Sequence, residues 1–210
     1  MKPLSYIQFL WNSDNAHGVH SPFIYHFVAN GLYRRRITLP NADYPAKTPG
    51  LSRKALKNLH KTITYFKSYK LLVLGDDAAA VTQAIQQVAE KAQAKIWFCS
   101  PYADVPGGVD LAYISAAGAQ SVTSLIERLT PDANNNTVLA MGNIHATAEA
   151  EAAWHAVKTN PNVRVTVDTY HLGLAFFRKE QQNQHFTIRT GTSMFVSAFL
   201  GIRNLWGLLG

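Results

Sequence analysis

The main fold signal of the sequence is the stretch Lys70-Leu-Leu-Val-Leu-Gly-Asp-Asp-Ala-Ala-Ala-Val-Thr-Gln-Ala-Ile-Gln-Gln-Val-Ala-Glu-Lys-Ala-Gln93. An apolar run precedes Gly75 and a pair of acids, and an alanine-rich segment then carries Val81, Ile85 and Val88 on one face. This pattern predicts a buried parallel strand followed by its crossover helix. In nucleotide-binding α/β folds the turn between them meets the charged or ribose end of the ligand. Here the turn has one glycine, where such loops usually have two or three.

Composition places the 210-residue chain among globular proteins of one domain. Hydrophobic residues make up 47% and charged residues 16%, which excludes a disordered chain. A single cysteine, Cys99, excludes an internal disulfide framework and is typical of a reducing compartment. The sequence shows neither a secretory signal nor an uncharged apolar run of about 18 residues, so we expect a cytoplasmic protein without a membrane span.

Charge is distributed unevenly along the chain, whose net charge is +7. Residues 1–70 carry 11 Lys and Arg against 2 acids, whereas residues 71–157 carry 3 against 9. This asymmetry predicts a basic flank on a mildly acidic body. A nucleic-acid-binding adaptor would use a basic N-terminal cap in this way. A solvated helical face explains the same charge, however, and no stacking motif accompanies it.

The first part of the chain, residues 1–50, predicts a small helical cap. Residues 3–12 suit a short helix, and Ser21 before Pro22 suits the start of a second, because the serine oxygen can cap and the proline needs no N–H partner there. Residues 37–50 contain three prolines and a glycine and are typical of a surface loop.

The next part, residues 51–190, predicts one α/β body. Beyond the opening unit, apolar patterns predict helices that start at Ser52, near residue 119 and at Thr147, and strands at 95–99, 110–115, 137–141, 163–170, 172–178 and 185–189. The second and third strands of the body are separated by about ten residues, too few for the crossover between parallel neighbours, so they are not adjacent. We expect an αβα sandwich with a mostly parallel sheet and an antiparallel C-terminal edge.

Several stretches resemble signature sequences of a bacterial family of class I S-adenosylmethionine-dependent methyltransferases. They are Asn15-Ala-His-Gly-Val-His-Ser-Pro-Phe23, Asn143-Ile-His145 with Glu151 and Trp154 behind it, Leu172-Gly-Leu-Ala-Phe-Phe-Arg-Lys-Glu-Gln181 and His185-Phe-Thr-Ile-Arg189. The resemblance covers about residues 1–190. It implies a Rossmann-like, methyltransferase-type fold and transfer of a methyl group from S-adenosylmethionine to an oxygen or nitrogen.

The cofactor positions that the resemblance implies are eroded in this chain. In the family the first strand ends in an acid, which neutralises the amino group of the cofactor, and a glycine-rich loop follows. Val73 stands at the position of the acid, Gly75 keeps the first glycine and Ala79 replaces the second. Asp76 and Asp77 place carboxylates where the carboxylate of the cofactor would lie, although they could equally cap the following helix.

The second strand of the family normally ends in an acid that binds both ribose hydroxyls. Cys99 or Ser100 stands at that position here, and we interpret the cysteine as a buried, inert thiol. Residues 101–109 are too few to form the helix and strand that line the adenine site in the family.

Related O-methyltransferases hold a metal between acids at the ends of the later strands, which lowers the pKa of a substrate hydroxyl. The corresponding positions are Ser115, Gly142 and Asn143 in this sequence, so we expect no metal.

Three histidines remain as catalytic candidates. His145 at the mouth of the implied site could act as a general base, or could serve only as a hydrogen-bonding group. His17 and His20 could form a metal pair or a base, or could orient backbone before the second helix. The sequence contains no zinc ligand set, phosphate loop or nucleophilic triad spacing.

The apolar tail, residues 191–210, is separate from the family pattern and predicts a C-terminal helix. Ser193, Ser197 and Gly201 form a stripe of small residues. The tail could pack back on the body, form a homo-oligomer interface through residues 193–209, or lie in a membrane surface.

The leading hypothesis from the sequence is a methyltransferase-like pseudoenzyme that binds a partner and needs no cofactor. S-adenosylmethionine would be the cofactor if the family activity is retained. An active O- or N-methyltransferase with an atypical pocket is the alternative, and a basic nucleic-acid-binding adaptor is the second alternative.

Overall fold

The structure is a computed structural model that describes residues 5–14, 19–34, 38–115 and 119–190, with only the backbone at residues 119 and 120. The helices of these residues are α1 (Tyr6–Asn12), α2 (Pro22–Phe27, continued by a π-helical turn, Val28–Leu32), a 3₁₀ turn (Asn41–Asp43), α3 (Arg53–Phe66), α4 (Ala78–Lys91), α5 (Ala119–Leu129) and α6 (Ala148–Thr159). The strands are β1 (Lys70–Leu74), β2 (Trp97–Phe98), β3 (Leu111–Ile114), β4 (Val138–Gly142), β5 (Val165–Asp168), β6 (Leu172–Phe176) and β7 (Gln184–Thr187).

These strands form one sheet in the order β2-β1-β3-β4-β6-β5-β7. Strands β2, β1, β3 and β4 are mutually parallel, and β6 runs antiparallel to both β4 and β5. The mostly parallel, Rossmann-like α/β fold is therefore confirmed. As predicted, β2 and β3 are not adjacent, because β1 lies between them.

The C-terminal side of the sheet contains the antiparallel pairings, but only one of its strands is reversed. A tight turn joins β5 to β6, with the Thr169 amide donating to the Leu172 carbonyl at 3.0 Å, so these two strands pair antiparallel. The following chain crosses β5 and places β7 at the edge, parallel to β5. The two strands on either side of the polar turn at residues 180–184 therefore do not pair with each other.

Two helical layers cover the sheet. Helices α3 and α4 pack on one face together with α2, and α5 and α6 pack on the other. Because successive residues of a strand point to opposite faces, β3 sends Leu111 and Tyr113 into the first core cluster and Ala112 and Ile114 into the second. This arrangement is the predicted αβα sandwich.

The described part of the N-terminal cap shares the core of the α3 and α4 layer. Phe27 of α2 packs against Phe176 of β6 with ring centroids 5.7 Å apart, and against Phe66 of α3 at 5.2 Å. The domain boundaries at residues 50 and 190 stay predictions, and the tail with its small-residue stripe lies outside the described residues.

Helix starts follow the predicted capping chemistry at two of three positions. The Ser52 hydroxyl accepts from the Ala55 amide and the Thr147 hydroxyl accepts from the Ala150 amide, both at 3.1 Å. Ser21 is the N-cap residue of α2 as predicted, but its buried hydroxyl makes no capping hydrogen bond, so that part of the prediction was wrong. Pro22, with its fixed φ, is the first residue of α2, as predicted.

Replacement of Gly173 by alanine tests the packing of β6 on α6. A Cβ there would lie 2.7 Å from Cζ3 of Trp154, which is buried on its other sides and has no room to withdraw. We expect the free energy of unfolding to fall by about 1 to 3 kcal/mol, measured by urea denaturation. In a Trp154→Phe background the penalty should shrink, because the colliding atoms are gone; an unchanged penalty would contradict the packing argument.

Candidate functional site

The candidate site lies at the carboxyl ends of β1, β3 and β4. The chain passes from β1 to its neighbour β2 on one side and then returns past β1 to β3 on the other side. The strand order therefore reverses between β1 and β3. Ligands of open α/β sheets bind at such a switch point. The sequence-predicted positions Gly75, Asp77, Ser115 and Asn143 meet at this end of the sheet.

Gly75 follows β1 with φ of +106°, a conformation that side-chain-bearing residues rarely adopt. A Cβ at this position would lie 1.9 Å from the Ser115 hydroxyl oxygen. The glycine therefore allows the turn after β1 to contact the residue that follows β3.

Asp77 occupies the N-cap position of α4, but its side chain makes no capping hydrogen bond. It accepts hydrogen bonds from Ser115 and from the Tyr113 hydroxyl, the latter at 3.4 Å, and its Oδ1 is buried without a partner. Burial raises the pKa of Asp77 by more than the hydrogen bonds from Ser115 and Tyr113 lower it. Carboxylates with a raised pKa occur at functional sites and also in structural hydrogen-bond networks.

A turn of the N-terminal loop, residues 48–51, covers this carboxylate; we name it the Gly50 turn. Gly50 has φ of +72°, and a Cβ on it would lie 1.9 Å from Oδ2 of Asp77. The Asn143 side-chain amide donates to the Gly50 carbonyl, and Leu51 is buried in the core. The space beside Asp77 is thus filled by the chain itself.

The other predicted cofactor positions, Val73, Asp76, Ala79 and Cys99, differ in burial. Val73 lies within β1 and packs against the α3 and α4 layer, while Asp76 and Ala79 are exposed. Cys99 follows β2 and is half-buried, with its amide donating to the Leu71 carbonyl at 2.7 Å. Burial raises the pKa of the Cys99 thiol, which makes it a weak nucleophile.

The three predicted metal positions have structural contacts. Ser115 bonds to Asp77, and Asn143 holds the Gly50 turn. Gly142 leaves room for the Tyr113 hydroxyl, since a Cβ there would lie 2.3 Å from that oxygen. Within the described ranges, no group of three or more His, Cys, Asp or Glu could hold a metal ion.

His145 lies between two carboxylates after β4. Its Nδ1 is 2.8 Å from Oε1 of Glu151 and its Nε2 is 2.7 Å from Oδ2 of Asp168. The ring also stacks on Tyr170 with centroids 5.3 Å apart. Each carboxylate oxygen accepts, so both ring nitrogens donate, and this arrangement holds the imidazolium form.

The protonation state of His145 decides what this residue can do. Burial lowers its pKa, but the hydrogen bonds and charges of Asp168 and Glu151 together raise it above the ordinary value of 6.5. A general base needs a free lone pair, and neither ring nitrogen has one while both carboxylates are bound. Of the two interpretations of His145, the geometry favours the hydrogen-bonding one.

Asp168 is the member of this cluster that sequence reasoning missed. It is the last residue of β5, and β5 runs parallel to β4, so their carboxyl ends lie at the same edge of the sheet. Knowledge of the strand order would have indicated the contact with His145. The sequence does not show this order, because the antiparallel strand β6 lies between β4 and β5. His20 is exposed just before α2, and His17 lies outside the described residues.

The lysines of the predicted basic flank on α3 contact the N-terminal segments. Lys61 donates to the Leu32 carbonyl and Lys57 to the Asn41 side chain, while the Lys54 ammonium lies 5.3 Å from the centroid of a tyrosine ring of α1. Burial lowers the pKa of Lys61. The nucleic-acid prediction is untested, but these contacts do not favour it.

Comparison with known proteins adds a distant likeness of fold. No protein-family model matches the chain, and no curated protein sequence matches it. Among solved structures, one similar chain is the crystal structure of a "putative O-methyltransferase" from Klebsiella pneumoniae, which is 12% identical. The match covers 78% of this chain and 93% of that chain, with a TM-score of 0.37. Similarity at this level assigns no activity.

No helix within the described ranges has the length and apolar character needed to cross a membrane.

Proposed function

We propose that this chain is a methyltransferase-like protein whose cofactor site is lost and which acts by binding a partner rather than by catalysis. One observation carries the proposal: the Gly50 turn lies on Asp77 at the carboxyl end of β1. S-adenosylmethionine in a Rossmann-like methyltransferase would place its amino-acid end beside that turn. Here backbone atoms and a carboxylate occupy the position.

The electrostatics of this position also oppose the cofactor. Its carboxylate would meet Asp76 and Asp77, and like charges at close range disfavour binding. At the end of β2, the half-buried Cys99 cannot accept hydrogen bonds from two ribose hydroxyls as a carboxylate does. The two ends of the cofactor would therefore both lack a complementary group.

The rival, an active O- or N-methyltransferase, needs two rearrangements. The Gly50 turn must leave Asp77, which breaks the hydrogen bond from Asn143. His145 must also release Glu151 or Asp168 before it can accept a proton from a substrate. Each step exposes groups that are paired with each other in this structure, so each costs free energy.

Thermal unfolding with S-adenosylmethionine or S-adenosylhomocysteine tests the proposal. A ligand at 100 times its dissociation constant stabilises the folded state by about 2.7 kcal/mol, which is a clear rise in melting temperature. We expect no rise with either compound. A concentration-dependent rise would reject the loss of the cofactor site and favour the active enzyme.

A further inference from the structure

A cavity lies between the edge strand β2, the first residue of β1 and the loop that follows β2. Its volume is about 500 Å³, within the range of small-molecule sites. Its walls are mostly apolar and consist of Lys70, Trp97, Phe98, Cys99, Ser100, Ala103, Asp104, Val105 and Pro106.

The cavity exists because no helix covers this edge. The chain returns from β2 to β3 through a short loop, residues 99–110, where a doubly wound sheet would have a crossover helix. The loop is fixed at both ends: Arg128 of α5 donates to the carbonyls of Pro101 and Ala103, and the Lys70 ammonium donates to the Pro106 carbonyl at 2.7 Å. These hydrogen bonds thus fix the position of the loop that forms the cavity wall.

Trp97 gives the cavity a surface for an aromatic ligand. Its side chain lines the cavity and yet is 69% exposed, which is unusual for the residue type that buries most area per side chain. Tyr102 on the same loop is 96% exposed. A flat apolar molecule in the cavity would cover Trp97 and stack on its indole.

Lys70 gives the cavity a positive charge. It is half-buried, and its cross-strand partner in the parallel ladder is Trp97, so the ammonium and the indole belong to one patch. The ammonium donates to the Pro106 carbonyl and lies 5.7 Å from the centroid of the Tyr69 ring, and an ammonium with three donors can also bind a ligand carboxylate. Asp104, the acid in the wall, is exposed on the loop, so solvent screens its charge more strongly than that of Lys70.

The length of β2 argues against an added peptide strand as the occupant. A peptide that extends a sheet depends on a ladder of main-chain hydrogen bonds. The strand has only two residues, Trp97 and Phe98, and the amides of Trp97 and Cys99 already donate to the strand segment beside them. The open edge offers the peptide groups of Phe98 alone.

We propose that this cavity binds a small aromatic carboxylate, with the ring stacked on Trp97 and the carboxylate paired with Lys70. Cys99, one of the predicted cofactor positions, also lines this cavity. Lys70 and Pro106, however, lie at the amino end of β1, away from the switch point, so the proposed ligand does not require the cofactor site. This cavity gives the chain a binding activity of its own on the opposite flank from the N-terminal cap.

Calorimetric titration with 2-naphthoate tests the site, because its readout does not depend on Trp97 itself. We expect saturable binding that is about fivefold weaker in Trp97→Ala, because an aromatic contact of this kind contributes of order 1 kcal/mol. Trp11→Ala is the matched control, since it removes another exposed tryptophan, from α1, and should leave the affinity unchanged. The uncharged analogue 2-naphthalenemethanol should bind more weakly than 2-naphthoate to the parent protein.

Alkylation of Cys99 gives a second readout that needs no substitution. It is the single cysteine of the chain and lines the cavity, so bound 2-naphthoate should slow its reaction with iodoacetamide. Three results would overturn the proposal: no saturable binding, equal affinity in Trp97→Ala, or unprotected Cys99 at saturation. Displacement of 2-naphthoate by S-adenosylhomocysteine would also overturn it, since the cavity would then be part of a working cofactor site.

Discussion

Replacement of His145 by alanine is expected to lower the free energy of unfolding by about 2 to 4 kcal/mol at pH 6. The imidazolium bridges Glu151 and Asp168, and the side chains of each ion pair are only 8% and 13% exposed. Removal of the cation leaves two carboxylates close together with no positive charge between them. That unpaired charge, rather than the lost hydrogen bonds alone, makes the effect large.

The loss should depend on pH in a defined direction. The folded-state pKa of His145 is raised above its ordinary value of 6.5. Stabilisation by the charged ring is therefore fully present below about pH 6.5 and is lost as the pH rises through the raised folded-state pKa. Urea unfolding of the parent protein and His145→Ala across this range should show a difference that shrinks at alkaline pH.

His185→Ala is the matched control for this substitution. His185 is exposed and hydrogen-bonds to the Thr166 hydroxyl at 2.9 Å, with no carboxylate beside it in the described structure. It should change the stability by less than about 1 kcal/mol. Two results would contradict the charged bridge from His145 to Glu151 and Asp168. One is a His145→Ala variant no less stable than this control, and the other is a stability difference from the parent protein that grows with pH.

Replacement of Gly50 by alanine should destabilise the protein by about 2 to 4 kcal/mol. Two effects add: Gly50 has φ of +72°, and the new methyl group would lie 1.9 Å from Oδ2 of Asp77 and 2.5 Å from its Cβ. The clash forces the Gly50 turn away from Asp77 and weakens the hydrogen bond from Asn143. Denaturant unfolding measures the loss.

Gly107→Ala separates the two effects. Gly107 also has φ of +72°, but the nearest atom to its Cβ position is Nζ of Lys70 at 3.7 Å. This variant should lose only the conformational part, about 1 kcal/mol. Equal losses in the two variants would mean that the contact between Gly50 and Asp77 is not tight.

The regular elements were predictable because their signals are local. The strand and helix of the opening stretch form over Lys70–Leu74 and Ala78–Lys91, where the change from an apolar run to 3.6-residue periodicity placed them. The second strand was expected at residues 95–99, but only Trp97–Phe98 pair with β1, because the chain then turns into the loop that edges the cavity. Apolar pattern alone does not fix how far a ladder continues.

The candidate site was only half predictable. The family resemblance implied one site from the positions after β1, β3 and β4, and the parallel strands do bring Gly75, Ser115 and Asn143 to one edge of the sheet. The Gly50 turn could not be predicted, because its contact with Asp77 joins a loop to a residue 27 positions later without any pairing pattern. The pairing of His145 with Asp168 was hidden by the reversed strand between β4 and β5.

Calorimetric titration with S-adenosylhomocysteine, of the parent protein and of Gly50→Ala, measures whether the switch point can still hold the cofactor product. The account predicts no binding heat in the parent protein, because the Gly50 turn and Asp77 fill the switch point. It predicts none in the variant either, because Cys99 and the acids at Asp76 and Asp77 remain unsuited to the cofactor. Saturable binding by the parent protein would contradict the account, and binding by the variant alone would show that the turn only closes a site that is otherwise intact.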